Sequence, residues 1–256
     1  MIDMPRRRSS PGRQVPYLPK RHIEDEAALL LAEYGNKHGQ VTAPPIPIDE
    51  IVELYLDLRL ELRDMQQLFG FADVHGALWV NERRVGIDQS LDPDQWPAKI
   101  GRYHFTLAHE AGHWRLHRQI YMSRADQRSL LPDRGERPGY ICRSSEAKKP
   151  IEWQADFFAA NLMMPREMVN RAWHEWHGSM EQIALDDLRP KQREILIAET
   201  LRRGGTKFGD NATHDMMLEH TARPLAERFQ VSAEAMRIRL EELKLLVRKR
   251  EATLFD

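Results

Sequence analysis

The chain has 256 residues but a single cysteine, Cys142, so it cannot form an intramolecular disulfide. Proteins of the reducing cytoplasm keep their cysteines as thiols, and this composition predicts a cytoplasmic protein. No apolar run approaches the ~20 residues that a membrane-spanning helix needs. Residues 1–20 also lack the apolar segment of a secretory signal peptide. The sequence therefore predicts neither a membrane protein nor a secreted one.

A net charge of one sign is also lacking, because 38 Lys and Arg residues nearly balance 39 Asp and Glu residues. A balanced chain is not expected to bind nucleic acid or an anionic membrane through its overall charge. The exception is residues 1–22, which combine three consecutive arginines, Arg6 to Arg8, with several prolines and little to bury. We expect a disordered basic tail there, and exposure to solvent is favoured over contact with nucleic acid.

What the sequence does contain is the motif H-E-A-G-H, which begins at His109. Residues four apart share a helix face, so His109 and His113 can direct two imidazole nitrogens at one point, with Glu110 beside it. This pattern suits a catalytic Zn²⁺, which lowers the pKa of its bound water to about 7, and a glutamate acting as general base. The alternative is an amphipathic helix that happens to carry two histidines. The apolar, proline-free residues 103–116 favour a buried helix that begins near Ile100.

A catalytic zinc needs a third protein ligand, and the best candidate is Glu152. This residue follows Pro150, which suits the first turn of a helix, and precedes an almost entirely apolar segment. A carboxylate at the start of a buried helix is unfavourable unless it meets a cation or hydrogen-bond donors. The alternative is that Glu152 only interacts with the helix dipole. Asp156, one turn further on, can accept the free ring N–H of a ligating histidine. The donor set favours zinc, although Mn²⁺ and Fe²⁺ also accept such ligands.

Together these two segments resemble the ImmA/IrrE family of metallopeptidases. That family pairs an H-E-x-x-H helix with a second helix of pattern E-x-x-A-(N/D)-x-F-A-x-x-L-x-M-P, which residues 152–165 match. The resemblance extends over residues 27–165 and again near residues 225–246. It implies a substrate that is a helix-turn-helix transcriptional repressor or antitoxin, cut in a regulatory or stress response. It also implies a gluzincin-like zinc peptidase. In that peptidase His109, His113 and Glu152 bind the metal, and Glu110 is the general base.

The N-terminal half predicts a small antiparallel sheet packed on the active-site helix, and hence an α+β fold. Residues 58–63 alternate leucine with charged residues, as in a strand with one buried face. Residues 77–80 and 84–88 are two further short strands, joined as a hairpin, while residues 23–34 have the spacing of a helix. The stretch 76–80 is our candidate for an exposed edge that holds an extended substrate through backbone hydrogen bonds, with an ordinary core hairpin as the alternative.

A long charged segment, residues 118–149, connects the two metal-binding helices and reads as a loop. It contains Tyr140, whose hydroxyl is a candidate donor to the oxyanion that forms during peptide hydrolysis. His214 and His220 are rival candidates for the same role, and the sequence does not rank the three.

Two further residues near the motif can take part in the site or only pack beside it. His117 extends the four-residue spacing, but one helical turn, about 5.4 Å, separates it from His113 along the axis. We interpret it as a residue that packs beside the site or supports a ligand. Cys142 can cap the zinc as a thiolate, although an ordinary buried thiol is favoured.

The chain divides into a tail at residues 1–22, a metallopeptidase core at 23–177 and a mainly helical region at 178–256. Within the last part, residues 224–247 are similar to a helix-turn-helix, with Arg237 and Arg239 on the second helix. A helical pair packed on the core is favoured over DNA binding, because the charge of the chain is balanced. The main hypothesis is a zinc endopeptidase that acts on a protein. The alternative is a non-proteolytic, zinc-containing regulator that binds DNA.

Overall fold

A computed structural model describes residues 16–122, 140–143, 149–202 and 210–250, with the backbone alone at residues 140–143 and 210–212. Most of the described residues are helical and two small sheets accompany them, so the predicted α+β fold is confirmed. Most of the predicted basic tail lies outside the described residues. In the described part of the chain no helix has the length and apolar character needed to cross a membrane.

Helix α4 (Ile100–Gly112) packs against α5 (Pro150–Met163), and the described residues form ten α-helices in all. Two of them continue as π-helical turns, α2 over Ile51–Tyr55 and α4 over His113–His117. Residues 118–122 then continue α4 in α-helical form. In chain order the helices are α1 (Lys20–His38), α2 (Ile48–Glu50), α3 (Met65–Phe69), α4 (Ile100–Gly112), α5 (Pro150–Met163), α6 (Arg166–His177), α7 (Leu185–Leu188), α8 (Gln192–Arg202), α9 (Asp210–Phe229) and α10 (Ala233–Glu242).

Helix α1 forms because its apolar residues recur at the spacing of one helix face. Ile23, Ala27, Leu30 and Tyr34 are all buried against the rest of the protein. The helix ends at Gly39, whose φ of 109° is a backbone conformation that favours glycine. The helix predicted for residues 23–34 is therefore confirmed and extends further at both ends.

A four-stranded sheet contains β1 (Arg59–Arg63), β2 (Val74–Trp79), β3 (Arg84–Asp88) and β4 (Tyr140–Arg143), in the order β1-β3-β2-β4. Strands β2 and β3 form the predicted antiparallel hairpin, with Leu78 opposite Val85. A second sheet pairs β5 (Ile183–Ala184) with β6 (Leu246–Val247) in parallel.

The first sheet is mixed, so the prediction of an antiparallel sheet was wrong in this detail. Strand β1 pairs in parallel with β3, with Leu60 opposite Val85. This parallel pairing follows from the strand order, in which β3 of the hairpin lies between β1 and β2. Helix α3 separates β1 from β2 along the chain and makes this non-sequential pairing possible. Alternation within a strand reveals a buried face but not which neighbour the strand will choose.

The proposal that residues 76–80 form an exposed edge was also wrong. Strand β2 is hydrogen-bonded on both sides, to β3 and to β4, and Gly76 pairs with Cys142 across the second of these ladders. Among the described strands, β4 and β1 are the ones at the edges. The prediction of a continuous loop at residues 118–149 was also wrong, because residues 118–122 continue α4 and residues 140–143 form β4. Residues 140–143 are too few to indicate a strand until they pair with β2.

The C-terminal helices pack into the same hydrophobic core as α1 and α4, through Phe229, Met236 and Leu240. The predicted turn lies between α9 and α10, and the Ser232 side chain caps α10 by accepting a hydrogen bond from a backbone N–H. Proline is favoured in the first turn of a helix, so the sequence predicts that Pro224 opens one. In the structure Pro224 instead lies inside α9. Buried residues on the turns around it hold this part of the chain helical despite the lost backbone donor and the ring clash of an interior proline. The division at residue 177 stays a prediction.

Candidate active site

The last turn of α4 brings the two histidines of the motif together. His109 and His113 are four residues apart on one face, and their Nε2 atoms lie 2.9 Å from each other. Both rings are buried, with 3% and 0% of their surface exposed. Burial lowers the pKa of His113 well below its usual range, and the neighbouring histidines act in the same direction. The neutral ring that results is the form that binds a metal.

Helix α5 contributes the third group, Glu152, close to its first turn. The Glu152 Oε2 atom lies 3.4 Å from His109 Nε2 and 3.8 Å from His113 Nε2. The side chain is 1% exposed, and its Oε1 atom has no hydrogen-bond partner among the described residues. Burial raises the pKa of Glu152, and the neighbouring His109 opposes this effect.

These three residues fit a divalent metal ion. Their ligand atoms all lie within 4.8 Å of one another, and they form the one such group found in the described part of the chain. A buried carboxylate beside two convergent imidazoles is unfavourable without a cation, because burial removes the water that would otherwise solvate the carboxylate charge and the ring nitrogens. The donors are two nitrogens and a carboxylate oxygen, a set found at catalytic zinc sites that keep one position open.

The close approach of α4 and α5 depends on Gly112. A Cβ atom at this position would lie 3.2 Å from the Ala155 carbonyl oxygen and 3.1 Å from the Phe158 ring. These separations are tighter than ordinary contacts. The absence of a side chain thus lets the backbone of α5 approach α4 and places Glu152 opposite the histidines.

Glu110 lies beside this group, between α4 and the central strand β2. It is fully buried, and neither carboxylate oxygen has a hydrogen-bond partner among the described residues. A Cβ atom at Gly76 of β2 would lie 2.5 Å from Glu110 Oε1, so the strand rests directly on this carboxyl group. Burial raises the pKa of Glu110 to about 8, with a smaller contribution from Glu152, while His109 opposes the shift. A carboxyl group tuned in this way is suited to general acid–base work near neutral pH.

Asp156 occupies the position expected from its spacing. Its Oδ1 atom lies 2.8 Å from His109 Nδ1. A carboxylate only accepts, so it takes the ring N–H of His109 and leaves Nε2 of the same ring with its lone pair. The face that Glu152 and Asp156 share on α5 therefore contacts both nitrogens of one histidine.

His117 contacts His113, although the rise of one α-helical turn, about 5.4 Å, suggested a larger separation. Its Nδ1 atom lies 3.0 Å from His113 Nδ1, at the end of the π-helical turn. Two further contacts were missed from the sequence: Tyr121 Oη is 3.2 Å from His113 Nδ1, and Gln154 Oε1 is 2.8 Å from His117 Nε2. The four-residue spacing that leads from His109 through His117 also reaches Tyr121 and would have identified it.

The other predicted site residues either have different contacts or have side chains outside the described part of the chain. His220 contacts Glu199 of α8 through Nδ1, at 3.1 Å, and His214 is exposed on α9. Tyr140 and Cys142 belong to β4, but their side chains lie outside the described residues. The oxyanion donor and a regulatory role of the cysteine therefore stay predictions.

Comparison with known proteins gives one family. The family model described as the IrrE N-terminal-like domain, Peptidase_M78, matches residues 98–241. This span contains α4 and α5 with all the residues of the metal-binding group, and it continues through α9 and most of α10. No curated protein matches the chain significantly.

Proposed function

Because the chain belongs to the Peptidase_M78 family of IrrE N-terminal-like peptidases, we propose that it is a zinc-dependent endopeptidase. The observation that carries this proposal is the buried group of His109, His113 and Glu152, with the unpartnered carboxyl of Glu110 beside it. When bound, zinc supplies a Lewis acid that polarises the scissile carbonyl and lowers the pKa of water to about 7.

Glu110 acts as general base and then as general acid. As base it takes a proton from the attacking water, and as acid it delivers that proton to the leaving amine. Its burial next to β2 excludes bulk water, and its pKa of about 8 in the absence of a cation is lowered when a positive charge lies beside it. Glu110 must be a carboxylate to act as a base, so a cation held by the adjacent metal-binding group would favour the active form of Glu110.

Two hydrogen-bond systems on the protein hold the ligands. Asp156 accepts from His109 Nδ1, and His117 lies against Nδ1 of His113. Each ring therefore keeps Nε2 for the metal, and both are prevented from rotating away. Among the described strands, β4 lies at an edge of its sheet and pairs with β2, and an edge strand of this kind is suited to hold an extended peptide by backbone hydrogen bonds.

The substrate we propose is a protein of the cytoplasm, namely a helix-turn-helix transcriptional repressor or antitoxin. The support is the family resemblance of the two helices, and the single cysteine among 256 residues agrees with a reducing compartment. Cleavage then releases transcription in a regulatory or stress response. A purified repressor encoded beside the gene is the protein to incubate with the enzyme, and a discrete cut is the expected result.

DNA binding by the C-terminal helices is the less favoured alternative. Arg237 is 8% exposed and forms an ion pair of 2.6 Å with Glu241. Arg239 is 1% exposed and donates to the carbonyl oxygen of Met164 and to Glu242. Arginines that are buried and engaged in this way are poorly placed to contact phosphates or base edges.

Glu110→Gln tests the peptidase directly, because glutamine keeps the shape of the side chain but cannot accept the proton. We expect zinc content to be unchanged and cleavage of a quenched fluorescent peptide library to fall by about 10²–10⁴-fold. The matched control is Glu227→Gln, at an exposed position of α9, which should keep the wild-type rate. Full activity of Glu110→Gln would overturn the assignment of the base.

A further inference from the structure

The ring of His113 is supported by residues outside the metal-binding group. His117 Nδ1 lies 3.0 Å from His113 Nδ1, and the Tyr121 hydroxyl lies 3.2 Å from the same atom. His117 and Tyr121 are 1% and 5% exposed, so water does not compete for these contacts. The π-helical turn over His113–His117 carries this contact, and such turns are frequent at functional sites.

Hydrogen-bonding rules fix the direction of this chain of contacts, beginning at Gln154. Its Nε2 atom donates to the carbonyl oxygen of Pro16 at 2.9 Å, and a carbonyl oxygen can only accept. The amide orientation is therefore determined, and Gln154 Oε1 must be the atom that faces His117. Because Oε1 only accepts, His117 Nε2, at 2.8 Å, must carry the hydrogen.

The same reasoning extends from His117 to the metal-binding ring. A neutral imidazole with its hydrogen on Nε2 has a lone pair on Nδ1. That lone pair faces His113 Nδ1, so His113 carries its own hydrogen on Nδ1. The remaining nitrogen, His113 Nε2, then carries its lone pair, which points towards His109 Nε2 and Glu152.

We propose that His117, oriented by Gln154, is a positioning residue that holds His113 in the tautomer that binds metal. This inference rests on the proposed function, since it concerns the same site. The two proposed ligands are then held by different groups. The carboxylate of Asp156 holds His109, and the neutral imidazole of His117 holds His113. The neutral support adds no negative charge to a pocket that already contains the carboxyl groups of Glu110 and Glu152.

The test is zinc affinity, measured by competition with a chromophoric chelator for the full chain. We expect His117→Leu to bind zinc about 10–100-fold more weakly than the wild type, which is the usual effect of removing the partner of a ligating histidine. His117→Asn keeps an acceptor oxygen near the position of Nδ1 and should restore most of this loss. Gln154→Leu tests the same chain if His117→Leu does not fold.

A matched control separates support of the ligand from simple loss of a buried histidine. His104 lies on the same helix, is 7% exposed and contacts Asp49, so His104→Leu should leave zinc affinity unchanged. ¹⁵N NMR of histidine-labelled apoprotein should show the hydrogen of His113 on Nδ1 in the wild type and a mixture in His117→Leu.

The possible failures are distinguishable. Wild-type affinity in both His117→Leu and Gln154→Leu would overturn the positioning role and leave the peptidase proposal intact. The role is also overturned if His117→Asn binds as weakly as His117→Leu. A wild-type protein that binds no zinc would instead overturn the proposed function.

Discussion

At the scale of single residues, the site depends on a carboxyl group held in a space with no spare volume. Glu110 is fully buried beneath β2, at the point where Gly76 has no side chain. A Cβ atom there would be 2.5 Å from Glu110 Oε1, and real structures do not contain such a contact. A carboxyl group acts as a base only where it can reach the attacking water, so a small displacement affects the reaction strongly.

Gly76→Ala should therefore lower the turnover number without removing the metal. The added methyl group pushes Glu110 away from its position, and we expect peptide hydrolysis to fall by about 10²-fold, as for a misplacement of 1 Å. Zinc affinity should change less than hydrolysis, because the ligands lie on α4 and α5. Gly35→Ala is the control, since its Cβ would meet only the flexible end of Gln40. An unchanged turnover number for Gly76→Ala would contradict this account.

At the scale of elements, the packing of α5 on α4 determines whether a third ligand reaches the histidines. Gly112 lies at the crossing, next to the Ala155 backbone and the Phe158 ring. Ala155 is one turn after Glu152, on the side of α5 that faces α4. Any side chain at residue 112 therefore moves the helix that carries the ligand.

We expect Gly112→Val to separate the two helices and weaken both folding and metal binding. Overpacking of this kind lowers the free energy of unfolding by about 1–3 kcal/mol, which urea denaturation of the apoprotein measures. Zinc affinity should fall by more than 10-fold, roughly the effect of losing support for a ligand. Wild-type zinc affinity in Gly112→Val would show that the crossing does not position Glu152.

A second contact between helices joins α8 to α9 through the buried carboxylate of Glu199. Glu199 is 1% exposed and accepts hydrogen bonds from Arg223, at 2.7 Å and 3.2 Å, and from His220. Burial raises the pKa of Glu199, but the hydrogen bonds from His220 and Arg223 outweigh it, so the pKa lies below 4.5. A lowered pKa means that the folded state favours the carboxylate, and this stabilisation is present above pH 4.5 and lost as the pH falls through the lowered value.

Glu199→Gln should accordingly destabilise the protein at pH 7 and less so in acid. Removal of one partner leaves Arg223, which is partly exposed, without its carboxylate, and we expect a loss of about 2 kcal/mol in the free energy of unfolding at pH 7, as for hydrogen bonds to a charged group. The difference from the wild type should shrink as the pH falls through the lowered pKa of Glu199, where the wild-type carboxylate becomes protonated. Glu194→Gln, at an exposed position of α8, is the control. A difference that does not depend on pH would contradict the assigned charge.

At the scale of the whole molecule, the metal-binding residues could be predicted because each pair lies within one helix. Spacing of four residues identified His109 with His113 and Glu152 with Asp156. The contacts of Gln154 with His117 and with Pro16 could not be predicted, because they join residues far apart in sequence whose types have many other uses.

The fold could be predicted where local pattern decides it, as in α1, α4, α5 and the β2–β3 hairpin. The parallel pairing of β1 with β3 and the addition of β4 could not, since both depend on which distant segment each edge meets. The position of Pro224 could not be predicted for a similar reason, because tertiary packing outweighs the local preference of proline for a helix start.

The measurement that tests the central claim most directly is peptide hydrolysis before and after metal removal. The full chain is stripped with a chelator and assayed against the same peptide library, then titrated with zinc. We predict that hydrolysis falls to the level of the Glu110→Gln variant and returns in full at one zinc ion per chain. Hydrolysis that persists after complete removal of the metal would contradict the proposal that His109, His113 and Glu152 form a catalytic metal site.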